Sequence, residues 1–116
     1  MKASSDLCLT APEIHLFHSR KRLVRFLHKR GYHAELFDAS GQMLYLDGVA
    51  VILMEHVGRP ETEDSLLVHE AYHAAVAHMG WLGEDEAGEE TMAYPVQTIS
   101  NALLIAHHRW RESHVQ

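Results

Sequence analysis

Hydrophobic positions follow two rhythms along the chain. The segment "EIHLFHS", residues 13–19, alternates weakly and predicts a short strand, after which Ser19 can cap a helix. Over residues 20–30, Leu23, Val24, Phe26 and Leu27 recur at helical spacing among basic residues, and Gly31 supplies the stop. "AELFDA" and "QMLYLD" flank Ser40-Gly41 as a predicted hairpin. After Asp47-Gly48, the β-branched run "VAVILMEHV" predicts a third, more buried strand. The polar loop 58–64 ends in Asp64 and Ser65, two candidate caps for a buried, alanine-rich helix over 66–79, with Gly80 as its stop. An acidic connection over 81–88 leads to a last helix from about residue 89 to 110, interrupted by Pro95. The order strand, helix, hairpin, strand, helix, helix predicts an α+β domain. It has an N-terminal helix, a small sheet of three to four strands, a histidine-bearing helix and a C-terminal helix.

The chain has 116 residues, which fits a single domain over 1–116, and its 47% hydrophobic content supports a modest core. A net charge of −6 argues against general binding to nucleic acid or anionic membrane. The basic residues concentrate in "RKRLVRFLHKR", expected to be the solvated face of one helix. No apolar run reaches the roughly 18 residues of a membrane span, and the N-terminus has no secretory h-region, so a cytoplasmic location is expected. Cys8 is the sole cysteine, which excludes an intrachain disulfide, and it has no base near it in sequence.

Candidate chemistry centres on "SLLVHEAYHAAVAHMG", which holds His69, Glu70 and His73 in the order H-E-x-x-H. Residues four apart share one helix face, so His69 and His73 can aim ring nitrogens at one point, about 2.0–2.1 Å from a zinc ion. Glu70, one residue round, can reach a zinc-activated water as general base. Shuffling a composition with eleven histidines yields the bare pattern about 0.1 times, so its mid-helix, apolar context carries the weight. A third ligand is sought downstream among Glu84, Asp85, Glu86, Glu89 and Glu90. Glu90 is best placed, because a short connection would fold the last helix back against the first. Tyr94, four residues on, either donates a hydrogen bond to a substrate oxyanion or anchors its helix in the core. Pro95 leaves two geometries open: a kinked helix containing Glu90, or a later start that puts Glu90 in a loop with Glu89 as fallback ligand.

"LLVHEAYHAAVAHMGW" followed by "EETMAY" resembles the small zincin-type proteins encoded by phages and prophages, and the gluzincin arrangement in which a glutamate of the next helix is the third ligand. The resemblance covers about residues 66–104. It implies a minimal zincin-like fold, Zn²⁺ held by His69, His73 and Glu90, Glu70 as base, and peptide-bond hydrolysis as the activity. A peptide or protein is then the substrate. The alternative is a non-catalytic zincin-like protein, acting as a phage assembly component or binding and blocking a host protein. At this size the walls of a substrate cleft are scarce, so a homodimer or docking on the target through hairpin edge strands would have to supply them. The remaining histidines carry no ligand pattern. His15, His18, His107, His108 and His114 are expected as surface polar residues and His78 as a helix-end partner, while His28, His33 and His56 show no signal.

Overall fold

Val49–Met54 forms the central strand β4, and its β-branched run is buried on both faces, as expected for a strand covered on two sides. A computed structural model describes residues 2–3, 12–33, 36, 41–55, 58–83 and 88–114, with Lys2, Ala3, Glu89 and Glu90 described by their backbone alone. Its other elements are β1 (Lys2–Ala3), β2 (Glu13–Phe17), α1 (Arg20–Lys29), β3 (Gly41–Leu46), α2 (Pro60–Trp81) and α3 (Glu89–His114). The sheet runs β1-β2-β4-β3. β2 pairs parallel to β4, while β1 and β3 are antiparallel to their neighbours. The fold is α+β, and no helix among the described residues is long and apolar enough to cross a membrane.

Alternation along the strands sorts the core into two layers. Ile14, Leu16, Ala50, Ile52 and Met54 pack against α2 and α3 through Leu67, Ala71, Ala74, Ala75, Ile99 and Leu103. Phe17, Val51 and Leu53 pack against Leu23 and Leu27 of α1 on the opposite face. The basic residues of α1 lie largely in solvent, with Lys21, Arg22, Arg25 and Lys29 exposed. Ser19 caps the helix by accepting the Arg22 N–H at 3.4 Å.

Element boundaries differ from expectation in four places. β3 and β4 themselves form a hairpin, turning at Asp47-Gly48, while Ser40 of the expected Ser40-Gly41 turn lies outside the described residues. Leu46 pairs with Val49, and both turn residues have positive φ, 47° and 87°, the requirement of a two-residue type I′ turn. Gly41 opens β3 opposite Met54 instead, and the strand expected over 34–39 falls largely outside the described residues. α2 begins at Pro60, whose fixed φ suits the first helical position, so Asp64 and Ser65 lie inside the helix rather than capping it. It runs past Gly80 to Trp81 and stops before Gly83, which has φ +89°. α3 runs unbroken from Glu89 through the buried Pro95. The proline removes one backbone bond, and the first turn still forms, with Met92 N–H donating to Gly88 O at 3.0 Å.

Two polar contacts fix α2 at its ends. At the C-terminal end, Tyr45 Oη lies 2.6 Å from Nδ1 of the buried His78, which makes His78 the partner expected near a helix end. Trp81 covers the hairpin turn there, 3.2 Å from where a Cβ on Gly48 would sit. At the N-terminal end, Glu63 and His107 are both 0% exposed and 2.9 Å apart. Arg111 also donates to Glu63, and Gly58 N–H donates to its other oxygen at 3.2 Å. His107 Nδ1 in turn lies 2.8 Å from His18 Nε2, at the end of β2. Trp110 stacks on His18 with ring centroids 3.9 Å apart. The expected surface placement of His18 and His107 is thus corrected, because antiparallel pairing of α2 with α3 brings a buried carboxylate to His107. His108 and His114 are exposed, as expected.

Two stability effects follow. Gly48→Ala should cost about 1–3 kcal/mol through left-handed strain, read as a lower urea midpoint at unchanged slope; an unchanged midpoint would contradict the turn assignment. Burial first, and then the electrostatic influence of the neighbouring His107, pushes His18 down from 6.5 to about 3. A depressed histidine leaves the unfolded chain binding more protons, so stability is lost as pH falls from about 6.5 towards 3. His18→Phe should flatten that part of the pH–stability curve relative to the parent, and parallel curves would refute it.

Candidate metal centre

The geometry starts from which face α2 buries. Leu67, Ala71, Ala74 and Ala75 are fully buried against the sheet and α3. At 100° per residue this turns His69 and His73 outward, and both are exposed. Their Nε2 atoms stand 3.1 Å apart, with the rings edge-on at 78°. Two nitrogens bound to one tetrahedral zinc at 2.0–2.1 Å are about 3.3 Å from each other. The imidazole pair therefore fits a shared cation with little adjustment, and neither ring has to leave the helix face it occupies.

Glu70 points elsewhere. It is only 7% exposed and lies over the start of edge strand β3, where its Oε1 is 3.5 Å from the position a Cβ on Gly41 would take. Burial raises its carboxyl above the ordinary carboxylate range, and the adjacent His69 and His73 charges pull part of the way back. Gly41, the first residue of β3, thus lies within van der Waals reach of this carboxyl.

The other candidates are less converged. Tyr94 is 64% exposed on α3 and makes no hydrogen bond or ring contact with the described residues. It is not a core anchor, which leaves its phenol available to an incoming group. Glu89 and Glu90 stand on the first turn of α3, so the kinked-or-late alternative resolves to a helix that already includes them. Their side chains lie outside what is described, as do Glu84, Asp85, Glu86, Cys8 and His56. Because His107 sits level with Glu63, antiparallel pairing sets the Glu90 backbone near the level of Gly80. That is about 10 Å along the axis from His73 at 1.5 Å per residue. Among the described residues, no group of three His, Cys, Asp or Glu side chains is arranged to hold a metal. The structure thus brings together His69 and His73, with Glu70 beside them, and leaves Glu90 and Tyr94 on the neighbouring helix.

Of the candidate ligands, His69 and His73 are the two whose described ring nitrogens lie together. Desolvation raises the affinity of the adjacent Glu70 carboxyl for its proton. No protein-family model matches the chain, and no curated protein or solved structure matches it.

Proposed function

We propose that the protein is a zinc-dependent hydrolase acting on peptide bonds. The observation that carries this is the pair of exposed imidazoles with Nε2 atoms 3.1 Å apart, adjoining a desolvated carboxyl on the same helix. His69 and His73 hold the ion, and Glu90 supplies the third ligand from the first turn of α3. When bound, zinc activates a water and polarises the scissile carbonyl. Glu70 takes the water proton and passes it to the departing amine. Tyr94 offers its phenolic O–H to the carbonyl oxygen as charge develops there. A setting in a phage or prophage, with action inside the bacterial cytoplasm, goes with the resemblance in "LLVHEAYHAAVAHMGW" and "EETMAY".

A second reading is a non-catalytic binder or assembly component. It is favoured by Val68, Tyr72 and Val76, large apolar residues exposed at i, i+4 and i+8 along α2. In that case zinc has no catalytic part, and the exposed stripe is the contact surface.

The two are separated by Glu70→Gln, assayed on a peptide library alongside zinc content. The hydrolase account expects zinc retained and turnover lowered by about 10²-fold or more. Cleavage undiminished in Glu70→Gln would remove the mechanism. Zinc retained in both His73→Ala and Glu90→Ala would remove the ligand set.

A further inference from the structure

A cleft of about 460 Å³ opens where the end of β2, the first turn of α1 and the last turns of α3 meet. It lies at the outer end of the Glu63–His107–His18 chain, well apart from His69 and His73. Its polar lining is His18, Ser19, Arg22 and His114, with Trp110 beside them and no carboxylate among the described residues. Arg22 has no ion pair with any described residue. In a chain of net charge −6, a cleft whose described polar groups are a guanidinium, a hydroxyl and imidazoles is complementary to an anion.

Hydrogen bonding sets which atoms are available. The Glu63 carboxylate only accepts, so His107 donates to it through Nε2–H. With both rings neutral, His107 Nδ1 then accepts from His18 Nε2–H. This leaves His18 Nδ1 as a bare acceptor with no described partner. Ser19 Oγ accepts the Arg22 backbone N–H and keeps its own proton to donate. His114 spends Nδ1–H on the Trp110 carbonyl at 2.9 Å.

We propose that this cleft binds the oxyanion group of a small organic acid, phosphate or carboxylate, between Arg22, Ser19 and His18, and that each anion bound brings one proton onto the His18–His107–Glu63 chain. The proton forms an N–H bond at His18 Nδ1, which can then donate to the anion. The His18 Nε2–H bond can break as an N–H bond forms at His107 Nδ1. That step leaves an imidazolium held directly against the buried Glu63 carboxylate. Empty, His18 stays neutral at physiological pH. It is half-buried, and it faces His107 and His114 of α3, with Glu63 of α2 relieving part of the cost. Arg22 of α1 lines the same cleft, and Arg111 of α3 shares Glu63. An anion reverses this balance, so binding tightens as pH falls.

The test titrates the full chain with sodium sulfate and, separately, sodium acetate, neither of which changes charge between pH 8 and 6. Calorimetry in buffers of different ionisation enthalpy counts protons, and histidine side-chain NMR locates the site. The expected result is saturable binding that shifts His18, takes up one proton per anion, and tightens up to about tenfold per unit fall in pH. Arg22→Ala should weaken binding at least tenfold, while Arg25→Ala, outside the cleft on the same helix, should not. Binding of sulfate alone assigns a phosphate-type ligand, and of acetate alone a carboxylate. Affinity independent of pH, equal loss in both arginine variants, or no binding at millimolar anion would overturn the proposal. Both variants alter exposed side chains, so folding is not at stake.

Discussion

The rotation of α2 about its own axis is the constraint on which the candidate metal centre depends. Leu67, Ala71, Ala74 and Ala75 have no exposure at all, and small side chains on this face let the sheet and α3 approach closely. Rolling the helix by one residue would expose that stripe and bury His69 or His73 without partners, so the packing energy selects one orientation. In that orientation the imidazoles are hydrated and the neighbouring carboxyl is not. The same helix thus presents two imidazoles to solvent and keeps a carboxyl in a drier environment, with one residue of offset doing the separating.

Both ends of α2 are held, which makes the orientation durable. His78 bonds to Tyr45, and Trp81 covers the Gly48 turn at one end. At the other, Glu63 receives His107, Arg111 and the Gly58 amide, so its buried charge is met on every side. A buried carboxylate stripped of such partners is strongly destabilising, and this is why a polar network can act as a strut between two helices and a strand. Its further extension to His18 carries it to the surface, where a proton can enter or leave.

Much of this was legible in the sequence, and what was not has identifiable causes. Helical periodicity located α1, and the i, i+4 spacing of His69 and His73 predicted convergent rings. The β-branched run predicted a buried β4. Boundaries failed where two local signals competed. Asp64-Ser65 looks like a cap, but Pro60 starts the helix a turn earlier. Asp47-Gly48 reads as a break before a new strand, but its two positive φ values make it the turn that joins β3 to β4. The Glu63–His107 pair was out of reach because its members are 44 residues apart and meet only once two helices pair antiparallel. Gly41 gave no hint of lying against a glutamate, since that depends on the register of an edge strand against α2. The distance from Glu90 to the histidines likewise depends on how the two helices align, which spacing along the chain does not encode.

The most direct test of the central claim is to follow all eleven imidazoles by nitrogen–proton correlation NMR while one equivalent of zinc is added. The account predicts that the Nε2 resonances of His69 and His73 shift together, saturate at one zinc per chain, and leave the other histidines in place. Shifts spread across unrelated histidines, or His69 and His73 responding separately or not at all, would contradict it.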